Sequence, residues 1–215
     1  MNRKGKFAAL QKPKRLPPAA RRRQLLAFAL EVFARRGIGE ARHAEIAREA
    51  GMSVPTVFNY FPTREVLVLE VLDEVGRFIL EDILRPIQDE QVPAPEVLRA
   101  TALAFAGAIE SHPHHARVWL DWSTAVRDDV WLRYLEFQDA VFALLAATTE
   151  RGKREGSLPA ELDVAAAVRL LVGSAHMIAQ MQFAGMPPAR VQEFIAFIIE
   201  GFIFRPADVQ GIERD

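Results

Sequence analysis

Ser53, Pro55, Thr56, Asn59 and Tyr60 are spaced so that one short helix sets them along its outer side, and the chemistry open to such a set is reversible hydrogen bonding. Pro55 and Thr56 suit base edges and thymine methyl groups, Asn59 suits a base or the sugar-phosphate backbone, and Tyr60 can donate to a phosphate. Covalent chemistry has no comparable support. The 215 residues contain no nucleophile elbow, phosphate loop or paired acid and base, and the lack of cysteine removes thiolate nucleophiles and zinc ligands. His112, His114 and His115 flank Pro113 at an expected helix start, a poor arrangement for metal ligands on one helical face. His176, alone on an apolar stretch, reads as a core or interface histidine. No cofactor, metal or enzyme activity is expected.

The elements that must position the polar set lie between Ala44 and Thr63. Ile46, Ala47 and Ala50 give a first short helix an apolar side, and Gly51 supplies the positive-φ backbone that ends it. Ser53 then caps a second helix with Pro55 in its first turn, and Pro62 stops it. Val54, Val57, Phe58 and Phe61 are expected to face the core. This is helix-turn-helix grammar, although a plain helical hairpin with a polar outer side follows the same pattern. Upstream, a helix from about Pro18 to Arg36 has Leu25, Leu26, Ala29, Val32 and Phe33 as its buried stripe, and Gly37 ends it. Arg21, Arg22 and Arg23 crowd its first turn against the helix dipole, a placement that phosphates would compensate. His43 precedes the second helix, where it suits either a phosphate contact or a cap. Thr63 caps a long helix running to Arg85, about 23 residues or roughly 35 Å. Its N-terminus, at Thr63 and Arg64, is a natural anion site.

Charge is unevenly spread. Nine of the 27 basic residues and none of the 28 acidic ones fall in residues 1 to 24, so a basic segment precedes an acidic remainder. Residues 1–16 lack apolar periodicity and read as an arm able to enter a minor groove through Lys14 and Arg15, with a passive tail as the alternative. Residues 17–62 form the head, and residues 63–215 form a helical body in which 63–85 is the connecting helix. The fold class is all-α, with a three-helix N-terminal head. The absence of a signal core or an uncharged apolar span leads to a cytoplasmic expectation with no membrane partner.

The run from Leu25 to Leu72, especially Ala-Leu-Glu-Val-Phe-Ala-Arg-Arg-Gly-Ile-Gly and Val-Phe-Asn-Tyr-Phe-Pro-Thr-Arg-Glu, resembles the DNA-binding head of the TetR family of transcriptional regulators. It is similar in particular to the branch holding the quorum-sensing master regulators of vibrios, the LuxR/HapR type. Val118 to Ser123 and Arg127 to Trp131 extend the likeness into the body. The resemblance implies that Ser53, Pro55, Thr56, Asn59 and Tyr60 belong to the DNA-reading helix, Thr63 and Arg64 to its phosphate-contacting flank, and Lys14 and Arg15 to a minor-groove arm. Most of the family has tyrosine at Phe58 and lysine at Arg64, and the vibrio branch has Ser-Pro where Pro17 and Pro18 stand.

The body reads as helices over Pro95–Ser111, His112–Val126, about 127–154, Asp163–Phe183 and Pro188–Phe204. Phe78, Phe105, Trp119, Trp122, Trp131, Phe137 and Phe142 are the aromatic residues available to line a cavity for a small apolar or aromatic effector, or else to fill a core. Val191, Phe194, Ile195, Ile198, Ile199 and Phe202, facing Val168, Leu171, Val172 and Ala175, make an apolar surplus suited to a four-helix dimer interface, with a buried intrachain hairpin as the alternative. The functional expectation is a homodimeric regulator of a near-palindromic duplex operator. A ligand-independent global regulator of the quorum-sensing type and a non-specific architectural DNA binder are the alternatives.

Overall fold

The computed structural model describes residues 16–126 and 128–203, apart from the side chains of Asp128, Phe202 and Ile203. Lys14, Arg15, Arg127 and Phe204 therefore lie outside the described residues, as does the place of the Phe202 side chain. Every regular element among the described residues is helical. α1 (Pro18–Arg36), α2 (His43–Glu49) and α3 (Val54–Tyr60) form the head, and α4 (Arg64–Arg77) leads out of it. α5 (Ala94–Ser111), α6 (Pro113–Thr124), α7 (Asp128–Glu155), α8 (Val164–Phe183) and α9 (Pro188–Ala196) follow. Proline within the first two positions starts α1, α3, α5, α6 and α9, where its missing N–H costs nothing.

The helix expected from Thr63 to Arg85 changes register on the way. Its hydrogen bonding is α-helical to Arg77, widens to a π-helical segment over Phe78–Leu84, and closes in a tight turn at Arg85–Ile87. In the wider register, residues five apart share a face. Ile79 and Leu84 consequently reach the same cavity wall. The last helix makes the same change, α-helical to Ala196 and π-helical over Phe197–Ile203.

Val168, Leu171, Val191, Ile195, Ile198 and Ile199, expected at a dimer interface, are instead buried within the single chain. Val172, Ala175 and Phe194 are partly buried there. The reason is that α5 packs against both α8 and α9 and absorbs their inner sides. What faces outward is a different set that includes Leu170, Met177, Phe183 and Met186. By length and composition α8 suffices to cross a membrane, yet its inner side belongs to the core.

α7 approaches the start of α5 through Gly152. A Cβ there would meet Leu158 Cδ1 at 2.6 Å and Ala94 Cβ at 2.8 Å. Gly152→Ala is therefore expected to destabilise the fold on the order of 1 kcal/mol net, because overpacking of roughly 1–3 kcal/mol outweighs the gain in helix propensity of about 1 kcal/mol. Urea denaturation checks this, and a raised midpoint would show that Leu158 yields freely.

Candidate nucleic-acid interface and internal cavity

α2 ends on Gly51 at φ 62°, and the Met52 amide reaches back to the Ala47 carbonyl at 2.8 Å. Ser53 caps α3 by accepting from the Thr56 amide at 3.3 Å, and the two hydroxyls bond at 2.8 Å. Val57 and Phe61 are wholly buried and seat α3 on the head. Val54 and Phe58, expected beside them in the core, are instead exposed. A two-turn helix crossing α2 buries only one narrow edge, and Phe58 lies outside it. Ser53, Val54, Pro55, Phe58 and Asn59 form the open side, flanked by the half-buried Thr56 and Tyr60. The Asn59 amide has no hydrogen-bond partner among the described residues.

Several neighbours are committed internally. The His43 ring is buried, its Nε2 is paired with the Phe61 carbonyl at 2.8 Å, and its face stacks on Phe58 with centroids 4.1 Å apart. It locks α2 to the end of α3 and is not placed to meet a phosphate. Arg22 pairs with Glu70, donates to the Tyr60 carbonyl at 2.7 Å and lies 5.0 Å over the Phe61 ring. Protein groups, rather than phosphates, compensate this arginine. Arg35 and Arg36 pair with Glu49 and Glu45 on the back of the head.

The start of α4 also departs from expectation. Thr63 Oγ1 accepts from the Val66 amide at 3.2 Å. The Glu65 carboxyl is held below its ordinary range by its own backbone N–H first, then by Thr63. The helix terminus is thus already neutralised by a carboxylate. Arg64 turns back to donate to the carbonyls of Ile38 and Gly39, the latter at 2.9 Å. Here Thr63 and Arg64 cap and brace, and an anion would have to displace these contacts.

The turn that Arg64 braces is also held from the body. Asp121 of α6 accepts the Ile38 N–H at 2.6 Å. Gly37 sits at φ 83°, and a Cβ there would stand 3.3 Å from Asp121 Oδ2, so both backbone freedom and close approach call for glycine. Two residues back along α6, Trp119 forms a wall of an internal cavity. One helix therefore touches both the cavity and the head.

That cavity has a volume of about 70 Å³. Phe105, Trp119 and Phe137 line it. Phe78, Trp122, Trp131 and Phe142 do not. Phe78 packs on His112 and His115 with centroids 4.6 and 4.1 Å away, and burial pushes the His115 imidazole down to about 4. Trp122 donates to the Val130 carbonyl at 2.8 Å and stacks on Phe137. Trp131 stacks behind Tyr134, and Phe142 lies under Arg169 on another side of α7. The polar wall consists of Thr101, Gln138 and Ser174, and Tyr134 also lines the space. Sequence reasoning by aromatic content missed these. The signal was the spacing Tyr134, Gln138, Val141, Leu145, which marks one face of α7.

Residues 25–71 match the family described as bacterial regulatory proteins, tetR family. The HTH-type transcriptional regulator LuxR of Vibrio harveyi is 46% identical over 121 residues, a match covering 54% of this chain and 57% of that protein. The chain thus spans little more than half the length of that relative. The crystal structure of a TetR-like transcriptional regulator from Rhodococcus sp. RHA1 superposes with a TM-score of 0.72 at 22% identity, covering 86% of this chain and 97% of that one. FadR from Bacillus subtilis, crystallised with stearoyl-CoA, gives 0.71 at 19% identity, covering 83% and 98%. All three are named as regulators of transcription, and this chain resembles the TetR family in the sequence of its head and shares the helical architecture of the two solved structures.

Proposed function

We propose that the protein is a homodimeric, sequence-specific DNA-binding regulator of transcription that acts in the cytoplasm on a near-palindromic operator. The observation that carries this is the open side of α3, where Ser53, Pro55, Thr56, Asn59 and Tyr60 stand between two capped helix ends. Asn59 is exposed with its amide unspent, as a residue reading a base edge requires. Lys14 and Arg15 would follow the minor groove. Dimerisation would use the outer side of α8, where Leu170 and Met177 flank Gly173 two turns apart. Competition with random duplex at rising salt tests the reading. Retained preference for the operator supports it, whereas equal displacement by random duplex marks a binder of phosphates alone.

An effector entering the cavity would lower operator affinity by shifting α6, which carries both Trp119 and Asp121. The apolar lining supports this, as does the acyl ligand of the Bacillus subtilis FadR structure. At about 70 Å³ the cavity is well below the roughly 300–1,000 Å³ of small-molecule sites, so a ligand must widen it. That narrowness favours a second reading, a ligand-independent regulator of the quorum-sensing type. Asp121→Ala separates the two. Loss of the acceptor leaves the buried Ile38 amide unpaired and is expected to cost about 1–3 kcal/mol of stability. Under the effector reading it also flattens the response of operator affinity to ligand in a fluorescence-anisotropy titration. An unchanged response would take Asp121 out of the coupling.

A further inference from the structure

We propose that the cavity takes an uncharged, mainly apolar small molecule bearing one hydrogen-bond acceptor, which the Tyr134–Gln138 pair holds by donating to it. This rests on the cavity being the effector site and names the ligand class. The lining contains no Asp, Glu, Lys, Arg or His among the described residues. The His176 imidazole packs at a tilt against the Trp119 ring, with centroids 4.3 Å apart, and burial holds it below the ordinary histidine range. An ionised carboxylate would leave water there and meet no cation.

The polar groups of the wall differ in what they have left to give. Ser174 Oγ donates to the Leu171 carbonyl at 2.7 Å. Thr101 Oγ1 donates to the Val97 carbonyl at 2.8 Å and accepts from Gln88 at 3.1 Å. Both hydroxyl protons are spent. Tyr134 is 2% exposed, and its hydroxyl meets Gln138 Nε2 at 3.4 Å, a long bond. With the amide in this orientation the phenol proton has no acceptor among the described residues. With the amide turned over, the phenol donates to Gln138 and both amide N–H groups are left. Either way the pair carries a surplus donor. Burial raises the Tyr134 pKa, so the phenol keeps that proton at neutral pH. A ketone, ester or amide oxygen on an apolar body answers both the surplus donor and the uncharged walls.

Three probes of similar shape test the assignment by calorimetric titration of the full chain: acetophenone, cumene and benzoate. Acetophenone is expected to bind about tenfold or more tighter than benzoate and roughly three- to tenfold tighter than cumene, one hydrogen bond's worth. Only the double variant Tyr134→Phe/Gln138→Met, which removes both donors, should abolish the preference over cumene while cumene binding stays unchanged. Benzoate binding as well as acetophenone, or a preference over cumene surviving in the double variant, overturns the ligand class. The effector-site reading fails separately, if no probe binds or if Ala175→Phe and Ala102→Leu, which fill the cavity, leave probe binding intact.

Discussion

Phe61→Ala is expected to lower the stability of the protein by about 3–5 kcal/mol, a large share of the roughly 5–15 kcal/mol that holds a typical domain together. Phe61 is fully buried below α1, and the Arg22 guanidinium covers its ring. Its backbone carbonyl is the partner of His43. Truncation empties the space on which α3 rests and frees the residues that fix its angle. The loss should fall first on the head. Amide exchange in α2 and α3 should accelerate more than in α5 or α7, and operator binding should disappear at temperatures where the body is still folded. A loss of less than about 1 kcal/mol in unfolding free energy, measured by urea denaturation, would mean that the head closes over the gap.

Asn59→Ala should have the opposite profile. The side chain is exposed and makes no intramolecular hydrogen bond among the described residues, so stability should stay within about 0.5 kcal/mol of the parent. Operator affinity should fall by about 1–3 kcal/mol, roughly 5- to 150-fold, with sequence preference relaxed at one position of each half-site. Because the change removes no positive charge, the salt dependence of binding should be unaltered. A loss of affinity that is uniform across sequences, with preference intact, would reassign Asn59 from base reading to backbone contact.

The fold was legible in the sequence where punctuation is local. Gly37, Gly51, Pro62 and Pro188 mark helix ends, and the apolar stripes of α1 and α5 appear at helical spacing. The two π-helical segments were not legible, since Phe78–Leu84 and Phe197–Ile203 carry an apolar pattern compatible with an ordinary helix. The dimer residues were misplaced for a different reason. Periodicity shows that Leu171, Val191 and Ile195 are buried, but not whether α5 or a second chain buries them. Around the site, Ser53 and Thr63 could be read as caps because capping is a contact between near neighbours. The commitments of His43, Arg22 and Arg64 depend on groups 18 to 48 residues away and leave no local trace.

Whether α3 reads duplex DNA as one of a pair is measured most directly by selection of bound sequences from a random duplex pool by the purified full chain. The expected result is enrichment of a near-palindrome whose half-sites lie about one helical turn apart, roughly 34 Å, with two chains bound per site. A pool that stays random, or a single unpaired half-site held by one chain, would contradict it.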